Sequence, residues 1–199
     1  KFSSKNIYKN YFYLKKNKIP YIFGKLAISN DFFIKDKENF YITNNHCRNV
    51  THLLRSKVNC ILTSSSTINI DNPKLDCRID GLKNFSPYVA ILDKNLKVKK
   101  KSLLILNAKN IKTYLFYNKI NRNKIKYLKS MKIKLIYSPL KKEQLDFNFI
   151  LKKLYKLDIS SVLIEGGRLL TYSLLNNNVF NEFYLFISSQ KLKNKGLFK

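Results

Sequence analysis

The strongest chemical signal in the sequence is a carboxylate followed by two glycines, at the junction of two predicted elements. Residues 162–164 are apolar and predict a buried strand, Glu165, Gly166 and Gly167 follow, and the apolar run after Arg168 predicts a helix. The free N–H groups at a helix N-terminus carry partial positive charge and commonly hold phosphate or pyrophosphate groups. Two glycines alone are equally typical of an ordinary strand–helix turn. The carboxylate at the carboxyl end of the strand, where open α/β sheets bind ligands, favours a ligand site.

A second polar segment, residues 64–73, concentrates hydroxyl groups and the carboxylate of Asp71 a short distance before Arg78. Hydroxyl, carboxylate and guanidinium groups can together bind a sugar phosphate through neutral and charge-assisted hydrogen bonds. Clusters of Ser, Thr, Asn and Asp that end in Asn-Pro are also typical of tight turns. The bare pattern therefore favours a polar surface loop over a binding site.

Lys25 interrupts an apolar segment, residues 21–28, that otherwise predicts a buried strand. A lysine in a buried strand is seldom left without a partner. Strand alternation places Lys25, Ala27 and Ser29 on one face, where a polar ligand could contact both Lys25 and Ser29. An edge strand with one solvated face is the alternative interpretation.

A basic stripe follows one face of the helix that is predicted at residues 45–56, with Thr43 or Asn44 as its N-cap. Arg48, His52 and Arg55 stand at i, i+4 and i+7 and therefore share that face. Stripes of this kind are more often solvated surfaces than binding sites, and the spacing alone favours the solvated surface.

The chain has 199 residues, the size of a single domain, and 45% of them are hydrophobic. Its formal net charge of +27 is typical of proteins that bind nucleic acid or anionic membranes. The positive residues are mostly lysines scattered along the whole chain, and no nucleic-acid recognition motif accompanies them. We therefore expect no nucleic-acid partner, but a small anionic substrate that the positive charge attracts.

The cysteines and the apolar runs of the sequence indicate the cellular compartment in which the chain folds. Cys47, Cys60 and Cys77 are far apart and form no CxxC pair, which argues against a zinc site and against a disulfide framework. We therefore expect no metal, and a reducing cytoplasm. The apolar runs are far shorter than the ~20 residues that a membrane helix needs, so we expect no membrane segment.

The rest of the chain alternates between strand and helix patterns. Residues 146–157 predict an amphipathic helix that buries its apolar face. Further strands are predicted at residues 58–63, 88–92, 103–106, 113–117, 133–137, 161–164 and 183–187. This alternation is typical of an α/β domain with a largely parallel sheet. Residues 1–18 show no periodicity and predict a lead-in segment or linker, which leaves residues 19–199 as the domain.

Taken in order, these segments resemble the reductase domain of the bacterial deaminase/reductases of riboflavin synthesis, from about Pro20 to Gly196. The motifs that carry the resemblance are Lys25 to Asp31, Tyr41 to Thr43, Leu54-Arg55-Ser56, residues 64–73 with Leu75 and Arg78, and Glu165-Gly166-Gly167. The resemblance implies a dihydrofolate-reductase-like α/β fold, with a mostly parallel central sheet flanked by helices, and NADPH as the cofactor.

The resemblance also implies roles for individual residues. It implies cofactor contacts for Ala27, Tyr41, Thr67, Asp71, Gly167, Arg168, Leu169, Leu170, Thr171, Tyr172 and Ser173. It implies substrate contacts for Asn39, Thr43, Arg55, Leu75, Arg78 and Glu165, while Lys25 and Ser29 match positions that line the cleft. Lys25, Asp71 and Glu165 are the candidates for proton transfer, and nothing in the sequence chooses among them.

The implied reaction is the NADPH-dependent reduction of the ribose of 5-amino-6-(5-phosphoribosylamino)uracil to a ribityl chain. Hydride would pass from the nicotinamide to the sugar C1′, which is reached as an open-chain imine. Two alternatives stay open: a reductase of the same fold that acts on another pterin or pyrimidine, and a basic nucleic-acid-binding protein.

The chain departs from the family pattern at several places. Phe32 follows Asp31 where the family usually has Gly, and the family's segment before Tyr41 is slightly longer. The family continues past the position of Lys199, so we expect the C-terminal end of the domain to be truncated. The deaminase motifs His-Ala-Glu and Pro-Cys-x-x-Cys are absent, so we expect a deaminase upstream of the lead-in segment or on a separate protein. The resemblance further implies a homo-oligomer.

Overall fold

A seven-stranded sheet forms the centre of the structure, a computed structural model that describes residues 8–38 and 42–197. The strands are β1 (Tyr21–Ile28), β2 (Lys35–Asp36), β3 (Cys60–Ser64), β4 (Tyr88–Leu92), β5 (Thr113–Tyr117), β6 (Lys134–Tyr137), β7 (Leu140–Lys141), β8 (Gln144–Leu145), β9 (Ser161–Ile164), β10 (Glu182–Ile187) and β11 (Gly196–Leu197). The sheet has the order β10-β1-β9-β3-β4-β5-β6 with every pairing parallel. Two separate antiparallel pairs are formed by β11 with β2 and by β7 with β8. The predicted parallel α/β architecture is therefore confirmed.

Helices cover the sheet on both faces. They are α1 (Lys9–Asn17), α2 (Asn45–Ser56), α3 (Ser65–Asp71), α4 (Leu103–Leu106), α5 (Arg122–Ser130), α6 (Phe147–Tyr155) and α7 (Arg168–Asn176), with 3-10 turns at Lys83–Phe85 and Lys193–Lys195. Alternate strand residues feed two separate cores, so that Ile61 of β3 packs with Leu128 of α5 on one face, and Leu62 packs with Ile150 and Leu174 on the other. Burial on both faces is what a parallel sheet requires. No helix in residues 8–38 and 42–197 is long and apolar enough to cross a membrane.

Most of the predicted elements are confirmed. Helix α2 and strands β1, β4, β5 and β9 have the predicted bounds, and β3, β6, β10 and α6 differ from them by one or two residues. Helix α2 begins after Asn44, whose side chain accepts a hydrogen bond from the Cys47 amide at 3.0 Å. Asp146 caps α6 in the same way through the Phe149 amide. Side-chain caps of this type satisfy amide groups that the first helical turn leaves free.

The prediction of a polar loop at residues 64–73 is wrong, because this segment contains helix α3. Ser64 caps the helix by accepting a hydrogen bond from the Thr67 amide at 3.2 Å, and Asn72 ends it in the left-handed conformation, with φ 43°. Ile68 is buried and fixes the helix on the sheet. A single apolar anchor in a polar segment has no helical period, so the sequence pattern could not distinguish this helix from a loop.

One further prediction also needs correction. Residues 103–106 form helix α4 instead of a strand, since a short apolar run has no period that separates the two structures. The aperiodic lead-in segment contains helix α1, which has no buried residue but places Lys9 3.2 Å from the carboxylate of Glu182. The boundary of the domain at residue 19 stays a prediction. The truncation at its C-terminal end also stays a prediction, because Lys199 lies outside the described residues.

The turn that follows β1 gives the physical reason for the glycine that the resembled reductase domain usually has where this chain has Phe32. Phe32 has φ 69°, in the left-handed region that glycine occupies at little cost, and the family usually has Gly at this position. Ser29 is fully buried, where its hydroxyl donates to Asp31 at 2.6 Å and accepts from the Phe33 amide at 2.9 Å. The prediction that Ser29 lines the ligand cleft is therefore wrong, because this side chain holds the turn together.

Candidate active site

A buried ion pair between Arg55 and Glu165 lies at the centre of the candidate site. Glu165 directly follows β9, and Arg55 is in the last turn of α2. Arg55 Nε donates to Glu165 Oε1 at 2.7 Å and Nη2 donates to Oε2 at 2.8 Å, while Nη1 donates to the carbonyl oxygen of Asp76 at 3.0 Å. The two side chains are only 10% and 12% exposed. Three of the five guanidinium N–H groups are thus engaged within the protein, and two are left for a ligand.

Both members of this pair stay charged. Burial alone would raise the pKa of Glu165, but the charge and the hydrogen bonds of Arg55, with a smaller contribution from Lys25, hold that pKa below its ordinary value. Burial would lower the pKa of Arg55, and the Glu165 carboxylate more than offsets it and raises that pKa. Glu165 is therefore ionised at neutral pH, which suits it to orient neighbouring groups and makes it a poor proton donor.

Lys25 stands beside the pair. It lies on β1, one residue after Gly24, which is in register with Ile164, and this places Lys25 level with Glu165. Because β1 lies between β9 and β10, the alternative of an edge strand is wrong. The Lys25 ammonium is 5.6 Å from the centre of the Phe186 ring and makes no hydrogen bond or ion pair with any residue that the structure describes. Burial lowers the pKa of Lys25, Glu165 opposes this effect and Arg55 adds to it.

A cavity of about 200 Å³ opens above this group. Five of the residues predicted to act at the site line it, namely Lys25, Ala27, Thr43, Arg55 and Arg78. The whole basic stripe of α2 lines it as well, so the stripe faces a cavity, and the interpretation as a solvated surface is wrong. Its lining is dominated by hydrogen-bond donors, which suits a ligand that carries negative charge.

A larger cavity of about 600 Å³ lies near the amino-terminal ends of β4 and β5, where Tyr88 and Lys112 line it. Arg78 is the residue that it shares with the first cavity. We assign the active site to the smaller cavity, because it contains Lys25 and Arg55 and lies at the carboxyl edge of the sheet, where open α/β sheets bind ligands.

The turn formed by Gly166 and Gly167, which we call the glycine turn, contacts helix α3 beside Glu165. The Gly167 amide donates to Thr67 Oγ1 at 3.0 Å, and this hydroxyl lies 3.0 Å from Ser64 Oγ. A Cβ atom on Gly167 would be 3.5 Å from Thr67 Oγ1 and, beyond its chain neighbours, would have no other atom of the described residues within 4 Å. Helix α7 begins directly after Gly167, and the first amides of any α-helix lack intrahelical acceptors. The two segments predicted to contact the cofactor are thus joined at a helix N-terminus that can hold an anion.

The remaining predicted residues are placed as follows. Asp71 pairs with Lys35 at 3.2 Å in a half-exposed position. Leu75 is buried in the core, so any substrate contact at this position would use its backbone. In the turn predicted to bind the cofactor, Thr171 is buried and donates to the Gly166 carbonyl at 3.3 Å. The other predicted residues of this turn are exposed or partly exposed: Gly167, Arg168, Leu169, Leu170, Tyr172 and Ser173. Asn39 and Tyr41 lie outside the described residues.

Two residues of the site were not recognised from the sequence. The carbonyl oxygen of Asp76 accepts hydrogen bonds from both Arg55 and His52, and its carboxylate Oδ1 lies 3.3 Å from Arg78 Nε, within ion-pair distance but without hydrogen-bond geometry. A backbone carbonyl has no sequence signature, so this role could not be predicted. Lys35, the partner of Asp71, has no signal among so many lysines.

Comparison with known proteins places this fold in the dihydrofolate-reductase-like class. Residues 20–192 match the model of the RibD C-terminal domain, so the chain belongs to that family. It is similar in structure to a diaminohydroxyphosphoribosylaminopyrimidine deaminase/5-amino-6-(5-phosphoribosylamino)uracil reductase of Thermotoga maritima, with a TM-score of 0.78 and 23% identity, over 97% of this chain and 51% of that one.

Two curated relatives extend the comparison. The riboflavin biosynthesis protein RibD of Actinobacillus pleuropneumoniae is 25% identical over 187 residues, which are 93% of this chain and 49% of the relative. The 2,5-diamino-6-ribosylamino-4(3H)-pyrimidinone 5′-phosphate reductase of Aquifex aeolicus (strain VF5) is 24% identical over 163 residues, which are 81% of this chain and 70% of the relative. The chain therefore spans about half the length of the RibD protein that it matches.

Proposed function

We propose that the chain reduces the ribose of 5-amino-6-(5-phosphoribosylamino)uracil to a ribityl chain, with NADPH as the reductant. The observation that carries the proposal is the Lys25 ammonium, which has no hydrogen-bond or ion-pair partner among the described residues. It lies beside the buried Arg55–Glu165 pair, at the same edge of the sheet as the turn at Gly167. Membership of the RibD C-terminal domain family supports it. So does the reductase named in the similar protein of Thermotoga maritima.

The first turn of α7 suits the phosphates of a dinucleotide. Its amides are free of intrahelical acceptors, the space beside Gly167 is open, and Thr67 supplies a hydroxyl at the same place. Arg168 adds an exposed cation next to the turn, which favours NADPH over NADH because only NADPH carries the additional 2′-phosphate. When bound, the nicotinamide supplies the hydride.

Arg78 is the better of the two predicted arginines for binding the substrate phosphate. Three N–H groups of Arg55 are already engaged by Glu165 and Asp76. Arg78 lines the same cavity with half of its side chain exposed, and its contact with the Asp76 carboxylate lacks hydrogen-bond geometry. We therefore assign the phosphate to Arg78, and to Arg55 the role of holding Glu165 and contributing its two remaining N–H groups.

Of the three candidates for proton transfer, Lys25, Asp71 and Glu165, Lys25 is the best suited. When the C1′–O4′ bond of the ribose breaks to give the imine, O4′ becomes a hydroxyl, and reduction at C1′ then leaves the imine nitrogen in need of a proton. Glu165 stays ionised beside Arg55. Lys25 has no hydrogen-bond or ion-pair partner in the part of the chain that the structure describes, and burial lowers its pKa. An ammonium with a lowered pKa donates a proton more readily than an ordinary lysine does.

A second candidate substrate is supported by one comparison. The similar Aquifex aeolicus protein is named a reductase of 2,5-diamino-6-ribosylamino-4(3H)-pyrimidinone 5′-phosphate, and this chain covers 70% of that relative's length. The two substrates share the ribosyl phosphate and differ in the pyrimidine. The groups assigned above address the shared part, so they are compatible with both substrates.

Oxidation of NADPH by the purified chain tests the proposal, with the uracil, the pyrimidinone and dihydrofolate offered as substrates in parallel. We expect oxidation that depends on the uracil, the ribitylamino compound as product, and a lower rate with NADH. Preference for the pyrimidinone would transfer the assignment to the second candidate. No turnover, together with salt-steep RNA binding that survives loss of Glu165 and Asp71, would support the nucleic-acid alternative. By the same resemblance, we expect a homo-oligomer in the cytoplasm.

A further inference from the structure

His52 lines the cavity, and one of its two ring nitrogens is bonded to the protein. Its Nδ1 lies 3.1 Å from the carbonyl oxygen of Asp76. A carbonyl oxygen can only accept a hydrogen bond, so Nδ1 carries the proton, and the neutral ring keeps the lone pair on Nε2. His52 lines the same cavity as Lys25, and no residue within 8–38 and 42–197 donates a hydrogen bond to Nε2.

The surroundings of His52 keep the ring neutral. Burial lowers the pKa of His52, the charges of Arg55 and Arg78 lower it further, and the hydrogen bond and charge of Asp76 oppose them. The other charged groups that line this cavity are Arg48 on the same helix and Lys25 on β1. Glu165 is paired with Arg55 and is close enough for His52 to affect its pKa. Cations dominate this set, and an imidazolium ring would add another.

His52 therefore adds an acceptor nitrogen to a lining that contains four cations. Lys25, Arg48, Arg55 and Arg78 have no acceptor atom in their charged forms, and the hydroxyl of Thr51 donates to the Cys47 carbonyl at 3.0 Å. A ribosyl-pyrimidine carries hydroxyl and N–H donors as well as its phosphate, and a buried donor without an acceptor weakens binding.

We propose that His52 binds the substrate through Nε2 by accepting a hydrogen bond from a hydroxyl or N–H group of the ribosyl-pyrimidine, while the Asp76 carbonyl fixes the tautomer. This role rests on the proposed function. His52 is then a specificity-determining residue that recognises the neutral part of the substrate, and the cations recognise the phosphate.

Two substitutions separate the two nitrogens of the ring. In His52→Asn the side-chain amide can still donate to Asp76 from near the position of Nδ1, but the acceptor is lost. In His52→Gln the amide oxygen can reach the position of Nε2, but the bond to Asp76 is lost. We expect His52→Asn to weaken binding of the substrate about five- to tenfold by calorimetry, roughly the effect of one hydrogen bond, and His52→Gln to retain most of it. The turnover number should change less than KM in His52→Asn.

Nitrogen-15 NMR measures the protonation of each ring nitrogen of His52 directly. The chain has two histidines, and comparison with His52→Asn identifies the signals of His52. We expect a protonated Nδ1 and a bare Nε2 at neutral pH, and a shift of Nε2 when substrate binds. Nε2 accepts only above the pKa of the ring, so substrate affinity of the wild type should fall towards acid pH, and this fall should be smaller in His52→Asn.

Several results would overturn the inference. They are unchanged affinity in His52→Asn, equal loss of affinity in both variants together with a lower melting temperature, or an Nε2 signal that substrate does not move. Because calorimetry and NMR do not need turnover, a wild-type protein that binds the substrate without reducing it would refute the proposed function and still test His52. A wild type that does not bind the substrate would overturn both.

Discussion

Two of the carboxylates predicted to act at the site, Glu165 and Asp71, are each paired with a cation, but in different surroundings. The Arg55–Glu165 pair is bidentate and about 10% exposed, whereas the Lys35–Asp71 pair has one contact of 3.2 Å and is more than one-third exposed. Removing one member of a buried pair leaves the other charge without compensation, while water replaces either member of an exposed pair. Glu165 is therefore fixed in charge and position, and Asp71 can change partner when a ligand arrives.

The largest effect is expected for Glu165→Gln, which breaks the buried pair. The variant should lose about 3 kcal/mol of the free energy of unfolding and nearly all activity, because Arg55 remains buried without its counter-charge. The folded-state pKa of Glu165 is lowered, so the stability from this group is present above the carboxyl's unfolded pKa and is lost as pH falls through the folded value. Urea unfolding at neutral and acid pH measures both effects.

The double variant Arg55→Gln/Glu165→Gln is the control for this prediction. It replaces the ion pair with two neutral amides, so it should recover part of the stability and none of the activity. A single variant as stable as the wild type at neutral pH would show that the pair contributes no more than an exposed one.

Lys25, which stands next to the buried pair, gives the next largest effect. We expect Lys25→Met to lower the turnover number about 100-fold, the usual contribution of a general acid, with a melting temperature close to that of the wild type. The ammonium is present only below its pKa, which burial lowers, so turnover should decline with rising pH earlier than an ordinary lysine would allow. Lys25→Arg keeps the charge and should move that decline to higher pH. A pH profile of turnover without this limb in the wild type would exclude Lys25 as the acid.

Gly167→Ala tests the exposed part of the predicted site, at the N-terminus of α7. The new Cβ would contact the protein at 3.5 Å only at Thr67, so the fold should tolerate it, while the affinity for NADPH should fall about tenfold because the methyl group enters the space left for the cofactor. Gly166→Ala is the contrasting variant. Its Cβ would lie 2.7 Å from the Leu170 side chain, so it should mainly lower the melting temperature. Fluorescence titration with NADPH separates the two results, and equal cofactor affinity in wild type and Gly167→Ala would refute the placement.

The smallest effect is expected at the exposed pair. Asp71→Asn should change the free energy of unfolding by less than about 0.5 kcal/mol and weaken NADPH binding two- to threefold, as expected for an exposed charge. Lys35→Met breaks the same pair from the other side and should leave NADPH affinity unchanged. If both variants weaken NADPH binding equally, the ion pair itself, and not Asp71, supports the cofactor.

The sequence was sufficient for the elements with clear periods and for the residues that follow strand ends. Strand β9 and the turn at Gly167 were predicted from an apolar run with a carboxylate and glycines behind it, and α2 from its helical spacing. Helix α3 was missed because its only apolar anchor is Ile68. The Arg55–Glu165 pair joins residues 110 positions apart, so no local pattern could reveal that the arginine is already engaged.

The strand order also determines when the sheet can close during synthesis. Strand β1 is synthesised before the other strands of the seven-stranded sheet, yet both of its neighbours, β9 and β10, are synthesised after them. The nascent chain must therefore keep an apolar segment that carries Lys25 apart from other strands until residues beyond Ser161 have emerged. Contacts between such distant segments are slow to form, and an unpaired strand is prone to aggregate.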